Sequence, residues 1–428
     1  MSKMIQKLIR TISKSTIGTS ATASIIAEEG RVTLGKCLKY KLRTKKLNKK
    51  FKQSKIIQKL IRTISKLTLG TSATASIIAE EGRVTLRKYL KYRLRTKKLK
   101  KEIKQSKIYW EQSHNFKLKN VSPVTSPLVL ISQIQRSGGS LLSQLFDGHP
   151  EVHPHPHELM LGYKKKHVWP RIDLKENPKR WFHILFENMV IKHTIEGYKK
   201  GRKDKESFPF IFSPYLQNKI FLEYIDSVKP LSLRTVLDAY MTSYFGAWLN
   251  NRNYNGKKKL VTAFTPRLSM KQENMDIFFE VYPDGRLISL IRDPKNWFPS
   301  ALRHSPKFYG DIKLAILQWN ESAQAMLRNK ELYGDRIRLL KFEDLVGDTE
   351  AVMRYLSKFL DIEFEDILVV PTFNKSSIKA HTSFKVENHG ILKGTKLRYK
   401  TLTESELDTI EEMTADIYSR ALKEVVKF

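Results

Sequence analysis

Cysteine is almost missing from this 428-residue chain, which has only Cys37. No intramolecular disulfide can form, and a zinc site built mainly on thiolates is excluded. No run of about 18 apolar residues occurs, so no transmembrane helix is predicted. The opening residues, Met1–Lys14, lack a long apolar core before a small-residue cleavage site, so no secretory signal is expected. One thiol is compatible with a reducing compartment, and the expectation is a cytoplasmic protein, peripheral to a membrane if its basic segment binds one. Acidic residues are scarce beside basic ones, 43 against 78, for a net charge of +35.

That excess is uneven. Residues 1–107 carry 30 Lys/Arg and 5 Glu, or +25, and the remainder carries 48 against 38, or +10. The basic segment is an internal duplication: Ser2–Lys52 recurs as Ser54–Lys104 at a period of 52, with 42 of 51 positions identical. In the second copy Ile57, Leu60, Ile61, Ile64 and Leu67 share one helical face, and Leu86, Leu90 and Leu94 form another stripe. Each copy reads as two basic amphipathic helices. Two copies are too few for a solenoid. Two readings stand: a solvated extension, or one that binds an anionic membrane surface, a polyanion or a partner helix. Specific nucleic-acid binding is not expected, because no aromatic stacking platform accompanies the charge.

Residues 108–126 form a polar linker ending in Ser122-Pro123 and Ser126-Pro127, and a domain follows over 127–428. Leu128–Ile134 is apolar and β-branched, as in a buried parallel strand. Arg136-Ser137-Gly138-Gly139-Ser140 comes next, then helix-spaced Leu141, Leu142, Leu145 and Phe146. Strand, small-residue turn and helix N-terminus make an oxyanion-binding loop: glycines allow close approach, and free N–H groups with the helix dipole favour negative charge. A nucleoside triphosphatase loop requires Gly-Lys-Ser/Thr at its end. Here the cation precedes the glycines.

His149, His153, His155 and His157 alternate with prolines. In extended chain these cannot easily converge on one ion, so no metal is expected. Tyr163–Tyr215 gives no clear pattern as a whole. Helices are predicted over Trp181–Ile195, Leu233–Asn250, Met270–Tyr282, Asn296–His304, Ile312–Arg328, Thr349–Leu360 and Thr403–Lys423. Strands are predicted over Leu260–Thr265, Arg286–Ile291 and Ile337–Lys341. Alternating strands and helices give an α/β fold with a mostly parallel central sheet, preceded by the basic helical extension. Ligands of such sheets sit beyond the carboxyl ends of the strands. Two cationic features fall there, Arg136 and, after the RLISLI strand, Arg292 with Ser300.

Together these residues resemble the sulfotransferases that use 3′-phosphoadenosine 5′-phosphosulfate (PAPS). Arg136-Ser137-Gly138-Gly139-Ser140 is similar to their first signature, and Arg292-Asp293-Pro294 with Ser300 eight residues after the Arg to their second. Tyr282-Pro283-Asp284, Phe342–Leu345 and Ser376–Arg398 look like the bacterial and Golgi-type members. The first block is similar to tyrosylprotein sulfotransferases. The resemblance implies a P-loop-like three-layer fold and sulfuryl transfer from PAPS, without metal, to a hydroxyl acceptor, a carbohydrate or glycolipid being favoured. It implies that Arg136, Ser137, Gly138, Gly139, Ser140 and Leu141 hold the 5′-phosphosulfate, and that Arg292 and Ser300 hold the 3′-phosphate. Ser377, Lys379, Lys393 and Lys396 would lie in a loop over the nucleotide. Glu158 falls at the family's catalytic base, with His157 as the alternative.

Two positions depart from the family pattern. Gly139-Ser140 stands for Thr-Thr, and Phe264 stands where many relatives have a catalytic Lys, for which Lys259 or Arg267 would substitute. Trp297 and Trp319 read as core rather than as adenine stackers. Two other functions remain open from the residues alone: a small-molecule kinase using ATP, and a non-catalytic basic protein that binds membranes or polyanions.

Overall fold

A computed structural model describes residues 72–161, 168–197, 208–378, 391 and 393–428, with side chains from Leu94 onward except at 393–396. The chain divides into two units at Asn120/Val121. Within the first, Ser72–Lys119 is one 48-residue helix, α1. It contains no proline and is rich in Leu, Lys, Arg and Glu, all good helix formers. It runs through residues 108–119, where the sequence reading has a linker, and stops before Ser122-Pro123. The first copy of the repeat and the Ile57–Leu67 stripe lie outside the described residues. Leu94, Tyr109, Trp110 and Phe116 on α1 are exposed. Among the described residues no helix is long and apolar enough to cross a membrane.

The second unit begins with β1 (Leu128–Ile131), α2 (Gly139–Leu145) and β2 (Val152–Glu158). Helices α3 (Pro178–Leu185), α4 (Met189–Glu196), α5 (Pro214–Ser227) and α6 (Leu233–Ala247) follow. Then come β3 (Leu260–Phe264), α7 (Gln272–Val281), β4 (Arg286–Ile291), α8 (Pro294–His304) and α9 (Pro306–Tyr309). The last part holds α10 (Ile312–Tyr333), β5 (Ile337–Lys341), α11 (Phe342–Gly347), α12 (Thr349–Leu360), a hairpin of β6 (Thr372–Phe373) and β7 (Ser376–Ser377), and α13 (Glu404–Glu424).

The five long strands form one parallel sheet in the order β2-β3-β1-β4-β5. This is the P-loop-like α/β architecture expected from the sequence. β1 lies at the centre; the chain passes first to the edge at β2, returns at β3 beside β1, and then crosses to β4 and β5 on the other side. The crevice beyond the carboxyl ends of β1 and β4 is the place where such a sheet opens to a ligand. On one face Val129, Ile131, Ile288 and Leu290 join Leu142, Leu145 and Phe146 of the α2 segment and Val352, Met353 and Leu356 of α12 in one core. Alternation turns Leu128, Leu130 and Leu287, also buried, to the opposite face.

Local chemistry sets the helix starts. Asp311 caps α10 by accepting from the Leu314 N–H, and Asp348 caps α12 by accepting from Ala351. Thr403 and Glu406 form a reciprocal capping box at α13. The helix predicted over Trp181–Ile195 is two, α3 and α4, broken at Phe186–Asn188. β2 was not anticipated. It carries Pro154 and Pro156, and a strand with prolines belongs at a sheet edge, where β2 lies. The Tyr282-Pro283-Asp284 motif ends α7, where Asp284 pairs with Arg234 at 2.8 Å while Arg234 also stacks on Tyr282.

Candidate active site

The site is assembled from the turns that leave β1 and β4. After β1 the backbone takes left-handed conformations at Arg136 (φ 71°) and Gly138 (φ 99°). A Cβ on Gly138 would meet the Phe342 ring at 2.4 Å, so both conformation and space demand glycine there. The Leu141 N–H donates to the Gly138 carbonyl at 2.9 Å. It therefore turns into the helix. The Ser137 hydroxyl is buried and makes no hydrogen bond among the described residues.

The second signature is explained by its geometry. Asp293 caps α8, accepting from the Asn296 N–H at 3.1 Å, and Pro294 occupies the first helical turn. This fixes Arg292 at the end of β4 and sets Ser300 two turns along α8. Arg136 Nε donates to Ser300 Oγ at 3.4 Å, and Arg292 Nη1 donates to the Arg136 carbonyl at 2.9 Å. The structure therefore brings Arg136, Arg292 and Ser300 together. Trp297 and Trp319 are core residues, yet each braces a cationic turn. Their indole N–H groups donate to the carbonyls of Gln135 and Arg292, at 2.8 and 3.1 Å.

Several like charges are gathered here. Burial, then the nearby Arg398 and Arg136, lower the Arg292 pKa to about 9. Arg398 is lowered to about 10 by burial and then by Arg136 and Arg303. Burial also lowers Arg136. All three remain cations at neutral pH. Glu343 and Asp293 raise the Arg292 pKa but by less than burial lowers it, and burial raises the pKa of Glu343 itself. A group of arginines that repel one another favours the approach of an anion.

Residues 127–366 match the sulfotransferase family. The chain belongs to that family. It is similar to protein-tyrosine sulfotransferase A of Caenorhabditis elegans, 23% identical over 259 residues, which cover 56% of this chain and 52% of the relative. The chain thus spans about half the length of the curated relative it matches. Among solved structures, the sulfotransferase domain from the curacin biosynthetic pathway aligns at 17% identity and TM-score 0.38, covering 68% of this chain and 98% of that one. Sulfotransferase STF9 of Mycobacterium avium aligns at 15% identity and TM-score 0.34, over 74% and 80%.

The remaining residues of the expected sulfotransferase site are placed as follows. Glu158 ends β2, beside Phe264 of β3, which in turn lies beside Ile131 of β1, so it stands at the same carboxyl edge. His157 stacks on His193 with ring centroids 3.6 Å apart. Ser377 lies on the separate hairpin, opposite Thr372. Lys379 is outside the described residues, as are the side chains of Lys393 and Lys396. The four alternating histidines go to different partners. His149 meets the Glu363 carbonyl, His153 stacks on Phe245, and His155 meets Glu187. Among the described residues no three such groups converge on a metal position.

Of the two substitutes for the family lysine, Lys259 lies at the wrong end of the sheet. It precedes β3 and pairs with Glu151 at 2.9 Å, at the amino edge. Arg267 lies at the carboxyl edge, held by the neutral acceptors Gln135 and Gln318 at 2.6 and 2.7 Å. Phe264 itself fills space at the loop: a Cβ on Gly139 would lie 2.3 Å from its ring and 2.4 Å from Gln133 Nε2. The two departures from the family pattern are thus one packing solution, a large ring over a residue with no side chain. Sequence reasoning missed Arg398 as a site residue. It falls within the Ser376–Arg398 block, and its N–H donates to Asn296 Oδ1 at 2.9 Å.

Proposed function

We propose that this chain transfers the sulfuryl group of PAPS to a hydroxyl acceptor. One observation carries the reading: Arg136 and Arg292, from neighbouring strand ends, meet with Ser300 in one crevice. Arg136, the 138–140 amides and Ser140 hold the 5′-phosphosulfate. Arg292, Ser300 and Arg398 hold the 3′-phosphate. The acceptor oxygen attacks sulfur in line, and the bond from sulfur to the 5′-phosphate oxygen breaks. Glu158 takes the acceptor's proton, and adenosine 3′,5′-bisphosphate leaves with a sulfate ester as the other product. Arg267, the cation at the carboxyl edge of β3, stands in for the family lysine.

The acceptor is a carbohydrate or glycolipid hydroxyl. A tyrosine phenol is the second reading, favoured by the match to a protein-tyrosine sulfotransferase. The repeats of residues 1–107 associate the enzyme with an anionic surface on the cytoplasmic side. Calorimetry with adenosine 3′,5′-bisphosphate on wild type and Arg292→Ala tests the donor site. A charge-assisted contact contributes about 1.5–3 kcal/mol, so affinity falls roughly tenfold or more. Unchanged affinity, or a preference for ATP, overturns the reading. Labelled transfer from PAPS to an oligosaccharide and to a tyrosine peptide separates the two acceptors.

A further inference from the structure

Outside the arginine crevice, one buried carboxylate is held more completely than its surroundings explain. Glu187 lies between α3 and α4, 3% exposed. Its Oε1 accepts from Tyr240 Oη at 2.9 Å and faces His155 Nε2 at 3.1 Å. Its Oε2 accepts from the Met160 N–H at 2.9 Å. The same His155 ring meets the His157 carbonyl through Nδ1 at 3.0 Å. Burying a carboxylate is costly unless its lone pairs are satisfied. Here two of its three partners, His155 and Met160, belong to one short stretch of chain.

That stretch is the end of β2. Pro154 and Pro156 lie where the backbone nitrogen faces away from β3, as prolines in an edge strand do, and the pairing register breaks between Pro154 and Glu158. A strand end whose pairing is interrupted needs another anchor. Glu187 supplies one on each side of Glu158: before it through His155 to the His157 carbonyl, and after it through the Met160 N–H.

We infer that Glu187 is a positioning residue for sulfuryl transfer, holding Glu158 at the carboxyl edge of the sheet through His155 and Met160. The inference rests on the proposed role of Glu158 as base. Glu187 touches neither donor nor acceptor. Its removal leaves nucleotide binding intact and lowers turnover, because a base displaced by about an ångström loses much of its effect.

Turnover of PAPS is measured with 4-nitrophenol and with water as acceptors, beside calorimetry with adenosine 3′,5′-bisphosphate. Glu187→Leu is expected to lower kcat about tenfold or more, with KM for PAPS and nucleotide affinity within about twofold of wild type. Glu187→Gln can turn its carbonyl to Met160 and its amide to His155 and Tyr240, and is expected to keep kcat within about threefold. In a Glu158→Gln background, Glu187→Leu should cost nothing further, since it acts through a group already disabled. The inference is overturned if Glu187→Leu keeps wild-type kcat, if nucleotide affinity falls with kcat, if Glu187→Gln is as slow as Glu187→Leu, or if the loss persists in the double variant. A fully active Glu158→Gln instead overturns the base assignment. A wild type that neither binds the nucleotide nor turns PAPS over overturns the proposed function.

Discussion

The contact between Gly139 and Phe264 allows a direct test of how this loop is built. Gly139→Thr restores the family's hydroxyl to the anion loop, so a reading from the motif alone expects tighter donor binding. The packing argues the reverse. A Cβ at 139 would sit 2.3 Å from Phe264 Cε2 and 2.4 Å from Gln133 Nε2, whereas carbon atoms in contact lie at about 3.5–4.0 Å. Phe264 is 6% exposed and Gln133 1%, so neither can retreat into solvent. The backbone of Phe264 is fixed on both sides, by Ile131 of β1 and Glu158 of β2. Overpacking of this kind costs about 1–3 kcal/mol, and Gly139→Ala should cost nearly as much, since the clash begins at Cβ. Phe264→Ala alone leaves a cavity, at about 3–5 kcal/mol. In the double variant each change relieves the other, with a favourable coupling of about 0.5–3 kcal/mol. Urea unfolding of both single variants and the double gives the cycle. If Gly139→Thr is as stable as wild type and its effect adds to that of Phe264→Ala, the ring does not exclude a side chain at 139, and the two departures are unrelated.

Two further outcomes are expected. Arg398→Gln should weaken adenosine 3′,5′-bisphosphate binding roughly tenfold in calorimetry, by loss of a charge-assisted contact, with little change in thermal stability, since it removes a like charge from beside Arg292. His153 is lowered by burial from 6.5 to about 3 in the fold, so the unfolded chain binds a proton between those values and the fold does not. Its contribution is complete above about pH 6.5 and is lost as pH falls, amounting to about 2 kcal/mol at pH 5. His153→Phe should stack on Phe245 and flatten this part of the stability profile, as urea titrations at pH 7 and 5 would show.

Most of the fold was legible because its signals are local. Arg286–Ile291 and Ile337–Lys341 are short apolar runs between turn residues, and they are strands β4 and β5. Thr349–Leu360 coincides with α12, whose cap, Asp348, immediately precedes it. β2 was illegible because the two prolines that argue against a strand are tolerated only at an edge, and edge position is a property of the whole sheet. The break between α3 and α4 was hidden likewise. The apolar spacing runs on from Trp181 to Ile195, and the interruption coincides with the burial of Glu187 against Met160, His155 and Tyr240.

The same division separates the site residues that motifs reveal from those they do not. Arg136 and Arg292 are found from sequence because each is delivered by a turn whose geometry is written beside it: two glycines after one, a capping Asp and a helix-starting Pro after the other. Arg398 has no such local grammar. It reaches the crevice because the Asn296 side chain, on the same α8 that carries Ser300, accepts from its backbone across about a hundred residues of chain. Glu187 is likewise joined to β2 only in three dimensions. Phe264 is the most instructive position, since it stands out in the sequence only as a missing lysine, while its meaning depends on Gly139 in a different strand-end turn. A residue absent from a motif is therefore best read together with whatever fills its space. Here the ring fills the space over Gly139, and Arg267, three residues further along, is a cation at the same edge.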